Sequence, residues 1–181
     1  MKPTNISLHQ PISVGFTVLE LAKLHMYKFH YGFIKQMYAN SATLLFTDTD
    51  SLTYHIVGVD KKRLDQDMYA NRKYFDLSNY PRNSNFYCEQ NKKCRGTFKN
   101  EKPNERIIGF VGLRAKMYCL KCVDEDTKEN WVTLKRAKGI RRCVVRDYEY
   151  DSYLNVLQEG NDGGGAAAET TPQRCEYAAI R

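Results

Sequence analysis

The residues best suited to do chemistry lie in one short stretch of the 181-residue chain, Leu44 to Tyr54, with the sequence LLFTDTDSLTY. Asp48 and Asp50 are separated there by one threonine, and apolar residues precede and follow them. Two carboxylates in one tight turn repel each other unless a cation neutralises them. Oxygen ligands of this kind suit Mg²⁺ or Mn²⁺, which also recruit substrate phosphates. The stretch therefore indicates a metal-dependent phosphoryl- or nucleotidyl-transfer site, with an ordinary Asp-rich hairpin turn as the alternative.

The elements around this stretch must position the two carboxylates. The pattern predicts two strands within residues 42–59, joined by the turn Asp48-Thr49-Asp50. Upstream, Thr17 and Glu20 fit a capping box that starts a helix ending at Asn40-Ser41. Downstream we expect a short helix over 60–72, a loop over 74–102, a strand over 107–123, its partner strand over 131–137 and a weak helix over 147–157.

The composition favours a polyanionic partner. The formal net charge is +7 and 13 tyrosines are spread along the chain, which favours nucleic acid first, although a merely soluble basic protein fits the same charge. Residues 1–10 are polar, and the apolar-rich segment 14–38 is interrupted by charged residues, so we expect neither a signal peptide nor a membrane span. The six cysteines are then expected to be reduced thiols in an intracellular, non-secreted protein whose compartment stays open.

Five segments, taken in order, resemble motifs of family B DNA polymerases of the protein-primed branch. That branch includes enzymes of adenovirus-like viruses, linear plasmids and Polinton-type transposons. The segments are FTDTDS at 46–51 (motif C), FDLSNYP at 75–81, GTFKNE at 96–101, GFVGLRAKMY at 109–118 and KRAKGI at 135–140. The helix at 11–35 is also similar to the one that precedes motif C in that family, and the resemblance covers residues 11–157.

The resemblance implies a role for each residue of the carboxylate turn. Asp50 matches the aspartate that ligates the catalytic metals, and Asp48 matches a supporting carboxylate or occasional ligand. Thr49 and Ser51 would fix the turn through side-chain hydrogen bonds. In a complete enzyme, two Mg²⁺ or Mn²⁺ ions about 3.5–4 Å apart would hold the attacking 3′ oxygen and the leaving pyrophosphate.

The resemblance also implies a surface for DNA. Lys116 and Tyr118 match a Lys-x-Tyr motif that contacts the primer terminus, and on a strand these two side chains share one side. The implied partners are primer–template DNA and deoxynucleoside triphosphates, with priming by a terminal protein left open, and no membrane. A basic stripe could follow the DNA backbone, or be a solvated face; it comprises Lys135, Arg136, Lys138, Arg141 and Arg142, with Arg114 and Lys99 as further candidates.

Several parts of a complete polymerase are missing from the sequence. The family's motif A aspartate, its motif B lysine and its exonuclease carboxylates are not found among the 181 residues. The predicted fold class is therefore α+β: a partial palm of antiparallel β-hairpins packed on helices, with an incomplete thumb. The expected parts are an N-terminal segment at 1–12, a partial palm at 13–145, a truncated thumb start at 146–158 and a disordered low-complexity tail at 159–181. We expect a C-terminal fragment that is inactive alone.

Three alternatives to a catalytic fragment remain. The chain could be a non-catalytic DNA-binding module, or a non-functional transposon remnant with an incomplete core. It could also be a small zinc domain, with Cys119 and Cys122 as one half of the ligand set and Cys88 and Cys94 as the other. Residues three apart on a strand point to opposite faces, so Cys119 and Cys122 chelate badly and no zinc is expected.

Overall fold

The computed structural model describes residues 11–124, 131–159 and 175–180, and the chain divides between Ala39 and Asn40 into two compact units. The first unit contains α1 (Ile12–Phe29), a π-helical segment (His30–Ile34) and α2 (Lys35–Tyr38). Contacts along a helix are local in sequence, so this helical segment forms a compact unit by its own contacts. The end of the helix near Asn40-Ser41 is confirmed, with a 3₁₀ turn at Ala39–Ser41.

The predicted start of the first helix is wrong. Helix α1 begins directly after Pro11, whose fixed φ suits a helix start, and Thr17 lies in its interior. The Thr17 hydroxyl donates to the Ser13 carbonyl oxygen one turn back, at 2.9 Å. Glu20 pairs with Lys23 at 2.7 Å instead of reaching back to a capping residue. The capping-box pattern therefore matched residues that are already helical.

The second unit is built on a six-stranded antiparallel sheet with the order β1-β2-β6-β3-β4-β5. The prediction of an α+β chain with antiparallel hairpins is confirmed. Its strands are β1 (Ala42–Asp48), β2 (Ser51–Val57), β3 (Glu105–Arg114), β4 (Met117–Asp124), β5 (Trp131–Ala137) and β6 (Cys175–Ile180). Its helices are α3 (Lys61–Ala70), α4 (Arg142–Arg146) and α5 (Tyr150–Glu159), with a 3₁₀ turn at Arg72–Tyr74.

Two sequence predictions about this sheet need correction. The expected single strand at 107–123 is a hairpin, because the chain reverses at Ala115-Lys116 between β3 and β4. The tail predicted as disordered from residue 159 contains β6, which pairs with β2 from Leu52↔Ile180 to Val57↔Cys175. The backbone partners that β2 offers stabilise this strand, and composition alone does not reveal them. The Gly/Ala-rich stretch at 160–174 lies outside the described residues.

The two faces of the central hairpin belong to different core clusters. On one face, Val111 and Cys119 pack against Tyr153 and Leu157 of α5. On the other face, Ile107, Leu120 and Cys122 pack with Ala179 of β6. The alternation of β4 therefore places α5 behind the sheet and leaves the opposite face available for a site.

The long connection from α3 to β3 is tied down by polar contacts. Asp60 caps α3 by accepting from the Arg63 backbone N–H at 2.8 Å. The Lys61 ammonium lies 2.7 Å from Asp65, and the Tyr80 hydroxyl donates to the other oxygen of that carboxylate at 2.6 Å. An isolated bridge at Phe75↔Phe98 joins two parts of this connection, and a second at Asn100↔Ile180 holds its end against β6.

Candidate functional site

The carboxylate turn is as tight as the sequence predicts. Strand β1 ends at Asp48 and β2 begins at Ser51, so the turn consists of Thr49 and Asp50. Thr49 adopts a positive φ of 53°, and the Asp50 backbone N–H donates to the Asp48 carbonyl oxygen at 2.6 Å. The Ser51 hydroxyl donates to the same carbonyl at 3.3 Å, and the Thr49 hydroxyl lies 3.5 Å from an Asp48 carboxylate oxygen. Both hydroxyls therefore brace the turn.

A second turn carries Lys116. The sequence places this lysine within a strand, whereas the structure places it at the reversal between β3 and β4 with a positive φ of 61°. The turn lacks Gly, Asn, Asp and Pro, so no local signal marks it. From this position the Lys116 ammonium comes within 3.2 Å of Asp48 Oδ1. Two motifs that are distant in sequence therefore meet in space.

Lys138 approaches the same carboxylate from its other side. Its backbone N–H donates to the Lys116 carbonyl oxygen at 3.1 Å, and its ammonium lies 3.7 Å from Asp48 Oδ2. Burial alone would raise the pKa of Asp48, but the hydrogen bond and charge of Lys116, followed by those of Lys138, lower this pKa below its ordinary value. Asp48 is thus an anion whose charge two lysines already offset.

An open cavity of about 220 Å³ adjoins these side chains. The Tyr118 ring forms part of its wall, with centroid distances of 4.4 Å to Phe46 and 6.2 Å to Phe110. Burial raises the pKa of Tyr118, so its hydroxyl stays protonated at neutral pH. The polar and charged lining residues are Asp48, Asp50, Ser51, Thr53, Glu101, Lys102, Lys116, Tyr118, Arg136 and Lys138. The wall combines cationic, aromatic and hydroxyl groups with three carboxylates, and its cationic and hydroxyl groups can contact a phosphate-bearing ligand.

Two predicted DNA-binding residues do not line this cavity. Lys135 pairs with Cys119 in the sheet register, which places it on the face towards the C-terminal helices. Its ammonium contacts Glu149 at 3.1 Å and the Arg146 carbonyl oxygen at 2.9 Å. Arg114 is exposed at the end of β3 and is not part of the cavity wall.

Arg136, in contrast, lines the cavity, although the sequence indicated it only as one member of the basic stripe. It lies directly opposite Tyr118 in the register of β4 and β5. Strand alternation separates Arg136 from Lys135 and groups it with Lys138, but applying that rule requires knowing which face carries the site. Glu101 and Lys102 were not predicted, because they reach the cavity through the long connection from α3.

The fit of this chain's residues to a divalent ion is incomplete. Within 11–124, 131–159 and 175–180, no group of three His, Cys, Asp or Glu side chains could hold a metal ion. Asp50 is exposed at the tip of the turn, while Asp48 is engaged by two lysines. The described residues therefore do not form a complete magnesium site, and no metal-dependent step can be derived from them alone.

The cysteines lie where the strand argument places them. Cys119 and Cys122 are fully buried and belong to the clusters on opposite faces of β4. Burial raises the pKa of each thiol to about 12, so both are protonated at neutral pH. Their side chains cannot converge on one ion without rebuilding the strand.

Comparisons with known proteins return no match: no family model, no curated protein and no solved structure is similar to this chain. Among the residues that the structure describes, no helix is both long and apolar enough to cross a membrane. Any functional assignment therefore depends on the motifs of the chain and on the geometry of the cavity.

Proposed function

We propose that this chain is part of the palm of a family B DNA polymerase of the protein-primed branch, and that its cavity binds the 3′ end of a primer strand. One observation carries the proposal. The motif C match and the Lys-x-Tyr match, far apart in sequence, meet with Lys116 and Asp48 at 3.2 Å and line the same cavity. A shared site is what the resemblance requires of these two motifs.

The charges of the wall support a nucleic-acid strand as the ligand. Lys116, Lys138 and Arg136 supply cationic donors for phosphate oxygens. The Tyr118 ring offers a surface beside them for a sugar or a base, and its protonated hydroxyl can donate a hydrogen bond. These contacts hold a strand by its backbone and do not read its sequence.

In this proposal Asp50 is the candidate metal ligand and Asp48 supports it. Nucleotidyl transfer joins the primer 3′ oxygen to the α-phosphorus of a deoxynucleoside triphosphate and releases pyrophosphate. Two Mg²⁺ or Mn²⁺ ions supply that chemistry when bound between carboxylates. Since the chain lacks the motif A aspartate and the motif B lysine, we expect it to bind primer–template DNA without extending it.

Primer extension tests the proposal. Purified wild-type chain should give no product with Mg²⁺ or Mn²⁺, while a labelled primer–template duplex should bind with an affinity that falls steeply with salt. The Asp50→Asn variant serves as the control for any synthesis. Robust synthesis that depends on Asp50 would show that the chain is catalytically complete, and an absence of duplex binding would remove the proposal.

A non-catalytic DNA-binding module is the second candidate, because both lysines engage Asp48 in the described structure. The two candidates differ in the genomic sequence upstream. An open frame that carries the motif A aspartate and the motif B lysine favours a working polymerase, whereas stop codons or unrelated sequence favour a binding relic.

A further inference from the structure

Three charged side chains meet at the edge of the cavity and offset one another. Lys116 approaches one Asp48 oxygen at 3.2 Å, and Lys138 approaches the other at 3.7 Å. The lysine side chains are 49% and 65% exposed, while that of Asp48 is 22% exposed. Exposed ion pairs of this kind are weak, so a competing anion can displace the carboxylate at little cost.

We propose that the Asp48 carboxylate occupies a phosphate-binding site when no ligand is bound. This carboxylate holds Lys116 and Lys138 in place, and a phosphodiester group of a nucleic-acid strand replaces it on the two ammonium groups. Asp48 is then a positioning residue that acts through the lysines, separate from any role as a metal ligand. This inference rests on the proposed function and assigns the ligand class of the cavity edge.

The arrangement of the lysines favours an anion with several oxygens. They come from different turns of the sheet and converge on the two oxygens of one carboxylate. The hydrogen bond from the Lys138 backbone N–H to the Lys116 carbonyl oxygen links the two backbones at 3.1 Å. The sheet therefore fixes the spacing of the two lysine backbones, and a phosphate can bridge the two side chains without a rearrangement of the backbone.

Asp50 provides a matched control, because it lies in the same turn and Asp50→Asn removes the same charge. Binding of a fluorescent primer–template duplex would be measured by anisotropy for the wild type, Asp48→Asn and Asp50→Asn over a range of NaCl concentrations. We expect Asp48→Asn to bind roughly three- to tenfold more tightly than Asp50→Asn, since Asp48 is the carboxylate that both Lys116 and Lys138 contact. For Asp48→Asn, a plot of the logarithm of the binding constant against the logarithm of the NaCl concentration should have a slope steeper than that of the wild type by about one. The reason is that the Asp48 carboxylate no longer competes with DNA phosphates for the lysines.

Two further variant backgrounds show whether the gain in affinity from Asp48→Asn depends on the lysines. In a Lys116→Gln/Lys138→Gln background, the gain from Asp48→Asn should vanish. In a Lys135→Gln background it should persist, because Lys135 lies on the opposite face of β5. Circular dichroism melts would verify that every variant is folded.

The outcomes separate this inference from the proposed function. If the wild type binds duplex but Asp48→Asn and Asp50→Asn behave alike, or if the gain survives loss of both lysines, the inference is wrong and the DNA-binding proposal stands. If neither the wild type nor Asp48→Asn binds duplex, both are overturned. Binding by Asp48→Asn alone would overturn the inference, because the phosphodiester would then be unable to displace the carboxylate from the two lysines.

Discussion

Replacing Lys61 with methionine should destabilise the protein strongly, because it leaves a buried carboxylate without its counter-charge. Lys61 is 7% exposed and Asp65 is 4% exposed, and their charged groups lie 2.7 Å apart. Tyr80, also 4% exposed, donates its hydroxyl to the second Asp65 oxygen at 2.6 Å. Loss of one partner of a buried ion pair costs about 3–5 kcal/mol, and loss of the Tyr80 hydroxyl about 1–3 kcal/mol.

Urea unfolding of the purified variants measures these costs. Lys62→Met is the matched control, because the neighbouring Lys62 is exposed and its replacement should change the free energy of unfolding by less than about 0.5 kcal/mol. The double variant Lys61→Met/Asp65→Asn removes both charges and keeps an acceptor for Tyr80, so it should recover more than half of the loss. A cost for Lys61→Met within about 1 kcal/mol of the control would show that Lys61 is not needed to stabilise the buried Asp65 carboxylate.

Three other predictions concern the described core and the connection from α3 to β3. Burial alone would raise the pKa of Asp76, but hydrogen bonds from Ser78, Lys93 and Lys99 lower it from 3.8 to about 2. Because the folded pKa is below the unfolded one, Asp76 stabilises the protein above pH 4, and this contribution is lost as the pH falls towards 2. Between pH 4 and 2, the free energy of unfolding of Asp76→Asn should therefore fall by roughly 2 kcal/mol less than that of the wild type, as denaturation at a series of pH values would measure. Iodoacetamide at pH 8 should spare the buried thiols Cys119 and Cys122, whose pKa is about 12, until the protein unfolds, as peptide mapping would report. Gly109→Ala should cost about 1–3 kcal/mol in thermal or urea unfolding, since its Cβ would lie 2.7 Å from the Tyr150 hydroxyl, whereas Gly15→Ala has open space and should stabilise helix α1 by roughly 0.5–1 kcal/mol.

The first hairpin could be predicted because its signals are local. Apolar and polar residues favour strands on both sides of Asp48 and Asp50, and aspartates favour a turn. The reversal at Ala115-Lys116 has no such signal, since it brings a non-glycine residue to a positive φ inside a continuous apolar pattern. Strand β6 depends on pairing with β2, which no local pattern specifies.

The sequence predicted which residues belong to the candidate site better than it predicted how they are arranged. The resemblance to polymerase motifs indicated Asp48 and Lys116, and the structure brings these two residues together. The separation of Arg136 from Lys135 follows from strand alternation, but only the pairing of β5 with β4 shows which of them faces the cavity. The engagement of Asp48 by Lys138 is a contact between distant turns, so the sequence could not reveal it.

Photo-cross-linking can show whether the cavity binds the 3′ end of a primer strand. A primer–template duplex with a photoreactive 3′-terminal nucleotide would be irradiated with the chain, and cross-linked peptides would be mapped by mass spectrometry. A duplex with the same group at an internal position is the control. We expect 3′-end cross-links at Asp48–Ser51 and Lys116–Tyr118, and their loss at high salt. Cross-links concentrated on α5 or the 74–102 connection, or an identical pattern from both probes, would show that the cavity does not bind the primer end.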